Sequence, residues 1–463
     1  MKLKKHDKTK RRNLVKKTAT TGLLINMLLF SVVPVMASAS SPAPSAQPAA
    51  VAAPAAKQTV KLPTVESLNL NLQSAILMEP TTGQVLLSLN ADKPLPPASM
   101  TKMMTEYLVA DAVKNGQFGW DTQVTVGENA SKQIGSRIFL AAGDIHTVKE
   151  LYIAMAVGSA NDATVALAEF MSGSEQEFVS LMNQTAQKMG MKTAYFINST
   201  GLSRADMPEK FRPQTDKETV MSAKDAAILA QHIVTEHPDF SQFTTIQSYK
   251  FRERDTAPMI NYNWMLESNK NIPNFKAYAY EGLDGLKTGH TSSAGNCFTG
   301  TAVRDGMRLI SVVMGADSEA HRFTETKKVL DFGFNNFEVQ QVAAPKAVIA
   351  GHETVAVDKG KKSKVGVVTD AGATFMVPKG TNAPAIATTV KLDENSKLVA
   401  PIAQGTKVGK VTYVYTINGM QPQQTTVNLI TSEEAEKAGW FKLLMRAIGD
   451  LFRDLFKGIK NLF

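Results

Sequence analysis

The chain has 463 residues, 43% of them hydrophobic, and a formal charge of +9. That length exceeds one ordinary domain, and that composition supplies a sizeable core. Nine Lys/Arg and one Asp fall within residues 1–39, so nearly all the excess charge sits at one end and a folded basic surface for nucleic acid is excluded.

The N-terminus "MKLKKHDKTKRRNLVKK" is a charged region, followed by the apolar "LLINMLLFSVVPVM" and the small-residue "ASA" ending at Ala39. This order reads as a secretory signal peptide over residues 1–39, and the protein is expected to be exported. An uncleaved membrane anchor is the alternative; the short apolar stretch and Pro34 favour cleavage. The single cysteine, Cys297, allows no intrachain disulfide, so stability must come from the core.

Residues 40–65 are rich in Pro, Ala and Ser and read as a tether. In "SAILMEPTTGQVLLSLN" two apolar runs flank a turn, which predicts a β-hairpin. "TVKELYIAMAVGSANDATVALAEFM" predicts a helical segment opened by a capping box of Thr147 and Glu150, and "MSAKDAAILAQHIV" opens similarly on Ser222 and Asp225. Strands return in "GLKTGHTSSAGNCFTGTAVRDGMRLISVVMGA", and "TETKKVLDFGFNNF" predicts one more helix. The order is that of an α/β (α+β) domain, with helices on a sheet, over residues 66–338.

From 339 to 431 the helical period vanishes, and short apolar runs broken by Gly, Asp, Asn and Lys predict a small all-β domain. The tail, residues 432–463, carries apolar residues at helical spacing from Trp440 to Phe463, with Lys442, Arg446, Arg453, Lys457 and Lys460 largely opposite. It reads as an amphipathic helix lying in a membrane surface, the alternative being a helix docked on the body. Its charges are too many for a bilayer span.

No P-loop, G-x-G-x-x-G or H-E-x-x-H occurs, His232 and His237 do not share a helix face, and one cysteine builds no thiolate site. No metal or cofactor is expected. "PPASMTKMMT", beginning at Pro96, is different: Ser99 and Lys102 stand three residues apart, where the prolines resist helix upstream. A serine hydroxyl needs an adjacent base to become a nucleophile. Residues i and i+3 share a helix face, so Lys102 can reach Ser99. Met100, Met103, Met104 and Leu108 would bury the amine and depress its pKa. Alone, Ser99 reads first as an N-cap. Downstream, however, "SAN" at Ser159–Asn161 and a single "KTG" at Lys287–Gly289 complete an ordered trio.

This trio resembles the penicillin-recognising serine enzymes, D,D-peptidases and active-site-serine β-lactamases. "GSANDATVALAE", "NSTGL", "GLKTGHTSSAGNC" and "MRLISVVMGADSEAHRFTETKKVLDFGF" are similar to the low-molecular-mass D-alanyl-D-alanine carboxypeptidases, from about residue 66 to the end. The charged stretch 207–221 departs from that pattern. The resemblance implies a mainly antiparallel sheet in the catalytic domain. It implies Ser99 as the nucleophile that forms an acyl-enzyme, Lys102 as general base and Ser159 as the proton relay to the leaving amine. Asn161 would hold the substrate backbone and Lys102. Lys287 on an edge strand, with Thr288, would attract the substrate carboxylate and keep Lys102 neutral, and Gly289 would let the strand approach closely. Backbone N–H groups of Ser99 and His290 would form the oxyanion hole, the His290 side chain being structural, and Arg322 would face the terminal carboxylate.

The implied activity is removal of the terminal D-Ala from peptidoglycan stem peptides, with β-lactams as covalent inhibitors, at the outer face of the bacterial cytoplasmic membrane. The rivals are a D,D-endopeptidase or β-lactamase of the same superfamily, and a non-catalytic wall-binding scaffold. No dedicated Glu motif for a fast deacylating base is present, and a scaffold has no need of Lys102 or Lys287.

Overall fold

The computed structural model describes residues 61–393 and 398–460; the expected signal peptide and most of the expected tether lie outside them. The predicted hairpin forms as β1 (Ser74–Glu79) and β2 (Gln84–Leu89). Then follow α1 (Lys102–Lys114), β3 (Gln123–Thr125), α2 (Glu128–Ser131), β4 (Ile145–Thr147), α3 (Val148–Gly158), α4 (Asn161–Ser172), α5 (Glu175–Lys188), α6 (Ala223–Glu236) and α7 (Ser241–Thr244). After the short pair β5 (Ser248–Tyr249) and β6 (Met259–Ile260), three long strands, β7 (Leu283–Thr291), β8 (Gly295–Arg304) and β9 (Met307–Ala316), precede α8 (Glu319–Asn336).

β1, β2, β7, β8 and β9 form one antiparallel sheet in the order β2-β1-β9-β8-β7. Both its faces are covered, so its central strands are apolar almost throughout. On β1, Ala75 and Leu77 join the core on one face while Ile76 and Met78 join the core on the other, as the two-residue period of a strand requires. β9 divides likewise, Leu309 and Val313 against Ile310, Val312 and Met314. Burying each such side chain contributes about 1.5–3 kcal/mol. β7 lies at the sheet's edge and is free to face a cleft.

The capping boxes at Thr147/Glu150 and Ser222/Asp225 are both formed. The segment expected as one helix from Thr147 is two helices, α3 and α4, broken where Ser159 takes a left-handed conformation, φ 53° and ψ 32°. The 207–221 stretch is loop with one 3-10 turn, Glu209–Phe211, and rejoins the body where Val220 and Met221 pair with Tyr195 and Leu95.

The second half is all strands: β10 (Phe337–Ala343), β11 (Thr354–Asp358), β12 (Lys364–Thr369), β13 (Ala373–Pro378), β14 (Ala387–Leu392), β15 (Leu398–Val399), β16 (Lys407–Tyr415) and β17 (Gln423–Thr431). Six of them form a sheet in the order β14-β16-β17-β12-β11-β15, and β10 pairs with β13. Residues beyond β17 still belong to this unit, because Ala435 pairs with Ile402 and Ala438 N–H donates to Lys359 O. The last helix, α9, runs Trp440–Lys460. Among the described residues no helix is long and apolar enough to cross a membrane.

Candidate active site

Pro96 and Pro97 lead into a 3-10 turn, Ala98–Thr101, and the α-helix itself opens at Lys102 rather than at Ser99. A 3-10 turn eclipses residues i and i+3, which brings the two side chains closer than an α-turn would. Lys102 Nζ lies 3.0 Å from Ser99 Oγ and 2.8 Å from the Thr200 carbonyl, to which it donates. Met100, Met103, Met104 and the lysine itself are fully buried. Burial holds the Lys102 amine well below the ordinary lysine range and the Lys287 charge pushes it the same way, with Glu106 and Asp162 opposing.

The other two motifs arrive from separate elements. Ser159 is the C-cap of α3 and Asn161 begins α4. A non-glycine residue held left-handed costs on the order of 1–3 kcal/mol, and here that conformation turns the Ser159 hydroxyl onto the edge strand. Lys287 Nζ donates to Ser159 Oγ at 2.9 Å. Lys287 is buried, and burial lowers its pKa to about 8, with Glu106 opposing and Arg322 adding to the fall. Asn161 donates through Nδ2 to Ile134 O at 2.6 Å and through its backbone N–H to Ser136 O. Its amide therefore anchors the 134–136 wall of the cleft and donates to that wall rather than to Lys102.

Gly289 has a steric reason to be glycine. A Cβ there would stand 2.5 Å from Pro97 O and 3.3 Å from Met100 Cγ, so β7 lies directly against the turn that carries Ser99. Thr288 is buried, and His290 is exposed with Nδ1 at 3.1 Å from Gly295 O, closing the β7–β8 hairpin. Arg322 is 2% exposed; its Nη1 donates to Gly289 O, Nη2 reaches Glu319, and Nε has no partner among the described residues. The structure thus brings Ser99, Lys102, Ser159, Asn161, Lys287, Gly289 and Arg322 into one contiguous set.

Three members were not picked out by the motifs. Thr200 takes the second Lys102 hydrogen bond, on a loop that Asn198 organises by accepting from Thr200 and Gly201. Glu106 follows Lys102 by one helical turn and is 3% exposed; burial raises its carboxyl to about 7, against the pull of Lys287 and Lys102. Asp162 accepts from the backbone N–H groups of Ile138, Leu140 and Ala163 and so pins the cleft wall to α4. The i, i+4 spacing of Lys102 and Glu106 was the available signal for the second.

The D-alanyl-D-alanine carboxypeptidase family matches residues 58–318, and the family of the penicillin-binding protein 5 C-terminal domain matches residues 337–437. The D-alanyl-D-alanine carboxypeptidase DacF of Bacillus subtilis is 34% identical over 378 residues, 82% of this chain and 89% of that protein. Among solved structures, a peptidoglycan synthesis regulatory factor (PBP3) from Streptococcus pneumoniae is 30% identical, with a TM-score of 0.68, covering 79% of this chain and all of that one. Penicillin binding protein 5 from Haemophilus influenzae is 32% identical, with a TM-score of 0.62, covering 82% of this chain and all of that one. Motifs, geometry and relatives agree: the chain belongs to the D-alanyl-D-alanine carboxypeptidase family of serine peptidases.

Proposed function

We propose that this protein removes the terminal D-alanine of peptidoglycan stem peptides through an acyl-enzyme on Ser99, and that β-lactams acylate the same residue. The observation that carries this reading is the 3.0 Å approach of the fully buried Lys102 Nζ to the half-buried Ser99 Oγ. A lysine desolvated in this way spends more of its time neutral at ordinary pH and can accept the serine proton.

Ser99 Oγ attacks the carbonyl carbon of the penultimate residue while its proton passes to Lys102. The oxyanion forms beside the backbone N–H groups of Ser99 and His290, where β7 approaches the turn. The scissile C–N bond then breaks, and the leaving D-Ala nitrogen takes a proton from Ser159, which regains one from Lys287 along their 2.9 Å hydrogen bond. Water next attacks the ester, its proton is taken up by the lysine cluster, and Ser99 recovers its own. Asn161, Thr288 and Arg322 complete the binding wall, and the Lys287 and Arg322 charges suit a terminal carboxylate.

The organisation we propose is a signal peptide (1–39), a tether (40–65), a catalytic domain (66–338), a β domain (339–431) and a C-terminal anchor. The protein would be exported and held peripherally on the outer face of the membrane. Support for the anchor comes from α9, where Trp440, Phe441, Leu444, Met445, Ile448, Leu451 and Phe452 are all solvent-exposed.

The test is mass spectrometry of the protein after penicillin treatment, with the modified peptide mapped, alongside release of D-Ala from a pentapeptide. A single adduct on Ser99 and D-Ala release, both abolished by Ser99→Ala, are expected. An adduct on another residue, or β-lactam hydrolysis faster than D-Ala release, overturns the reading.

A further inference from the structure

One aromatic ring on the cleft wall has no packing role. Ile138 and Leu140 are buried in the core around α3 and α4, while Phe139 between them is 69% exposed. Its backbone is left-handed, with φ 57°. Single exposed apolar residues are common on protein surfaces and by themselves mean little. A bulky side chain held left-handed is strained, however, and here no burial offsets the strain. Glycine or asparagine would adopt this conformation more easily.

The strained conformation is fixed from two sides. Buried Asp162 accepts from the backbone N–H groups of Ile138 and Leu140, the residues on either side of Phe139. Arg252 donates through Nη1 to Phe139 O at 3.2 Å and through Nη2 to Ile138 O. Arg252 is itself held by Asp255, which accepts from its Nε at 3.0 Å and from its backbone N–H at 2.9 Å. The Arg137 guanidinium lies over the ring, 4.7 Å from its centroid, and leaves the other face open. The ring also belongs to the cleft. The same segment accepts both Asn161 hydrogen bonds, at Ile134 O and Ser136 O. Phe139 stands three residues beyond Ser136, a chain length of at most about 11 Å. Ile134, on the same wall, is 44% exposed.

We propose that Phe139 is a specificity residue for the acyl side of the substrate. Its open ring face receives the apolar substituent carried next to the carbonyl that Ser99 attacks, and Arg252 is the residue that positions it. The inference rests on the acylation of Ser99 proposed above. A substituent that runs from the acylated carbonyl along the wall beside Asn161 meets Ile134 and then Phe139. The leaving D-Ala side is served by the Lys287 and Arg322 charges and gains nothing from a ring. A cationic substituent would meet Arg137 and Arg252 at this rim, so a neutral apolar or aromatic one fits. The strain at Phe139 then has a use: it projects a rigid ring outward from a segment whose neighbours point inward.

Benzylpenicillin and its acetamido analogue, in which a methyl replaces the benzyl group, are the probes. Intact-mass spectrometry at timed intervals reads the rate at which each acylates the whole protein. Phe139→Asn accepts the left-handed backbone, so it should fold with a melting temperature equal to or above that of the wild type. It should lower the preference for benzylpenicillin over the analogue by about three- to tenfold, the scale of one aromatic contact. Phe139→Tyr keeps the ring and should keep the preference. Arg252→Ala keeps the ring but frees its backbone, and should lose the preference to a similar extent. An unchanged preference in Phe139→Asn, with both rates falling alike or neither falling, would overturn the assignment, as would its loss in Phe139→Tyr. An unchanged preference in Arg252→Ala would overturn the positioning role. Failure of either compound to acylate the wild-type protein would instead overturn the reading of Ser99, and this inference with it.

Discussion

Lys287 Nζ donates a 2.9 Å hydrogen bond to Ser159 Oγ, joining the edge strand of the sheet to the residue that ends α3. The pair spans 128 positions of sequence and holds two walls of one cleft together. Removing either partner leaves the other buried without its mate. Lys287→Ala should therefore slow Ser99 acylation by about 100- to 1000-fold, the scale of losing a preorganised electrostatic group. Ser159→Ala should cost about 100-fold or more in D-Ala release, because the leaving amine then lacks its proton donor. Stopped-flow acylation by a reporter β-lactam, beside pentapeptide turnover, separates the two steps; wild-type rates in Lys287→Ala would remove it from the mechanism.

The acylation rate should be bell-shaped in pH. Lys102 must be neutral to accept the serine proton, and its pKa is lowered by burial and by Lys287, so the rising limb lies well below the ordinary lysine range. Lys287 must be charged to attract the carboxylate, and its pKa near 8 places the falling limb there. Because the two lysines and Glu106 interact, the limbs report the cluster as a whole. The pH profile of kcat/KM for acylation is the measurement; a rate still climbing well past pH 8 would contradict the assignment of Lys287. Lys102→Arg, which stays protonated, should lose about 100- to 10,000-fold at every pH.

Glu106 should make its mark on stability as well as on rate. Its carboxyl is raised from 4.5 to about 7 by burial, so the folded protein holds that proton longer than the unfolded chain does. The associated stabilisation is complete below pH 4.5 and is lost as pH rises through about 7. Relative to Glu106→Gln, the wild-type protein should lose on the order of a few kcal/mol across that window. Denaturant unfolding at several pH values measures it, and parallel curves for the two proteins would show that Glu106 does not titrate there.

Gly201 is a steric requirement of the turn that carries Ser99. Its φ is +84°, and a Cβ would fall 1.9 Å from Ala98 O, next to Ser99. Gly201→Ala should cost about 1–3 kcal/mol of stability through strain. It should lower acylation more than a distant substitution of equal stability cost, because Thr200 loses its place beneath Lys102. Acylation rate plotted against melting temperature, with a control glycine variant such as Gly306→Ala, distinguishes the two effects.

The layout was legible in the sequence because each element carried its own local signal. The "EPTTG" turn, the Thr147/Glu150 and Ser222/Asp225 boxes and the two-period strands all form as read. Most candidate residues could be named because three short motifs place them, whereas Arg322 was named only through the family resemblance. What could not be read is set by contacts distant in sequence. Nothing near Ser159 announces the left-handed turn that splits α3 from α4; the backbone yields there to meet Lys287. Glu106 looks like an ordinary surface residue of an amphipathic helix until the opposite wall closes over it. Thr200 acts through a carbonyl, which has no side-chain signature.

The tail supplies the last prediction. The sequence reading begins the tail at residue 432, but Ala435 and Ala438 are tied into the β domain by backbone pairing with Ile402 and Lys359. The free helix begins only at Trp440, after Gly439. Its polar side is not wholly free: Lys442 and Arg446 donate to the carbonyls of Gly360 and Lys361, which fixes one edge of the helix to the turn between β11 and β12. Its opposite face is bare, with Trp440 77% and Leu451 69% exposed. A stop codon after Gly439 should therefore release the mature protein from membranes with D-Ala release unchanged, whereas a cut at 432 should also loosen the β domain. Membrane fractionation and melting temperature of the two truncations test this. Continued membrane association of the Gly439 truncation after signal cleavage would place the anchor elsewhere. Single Lys442→Ala and Arg446→Ala variants should stay membrane-bound, because the proposed attachment rests on the apolar face and not on these two contacts.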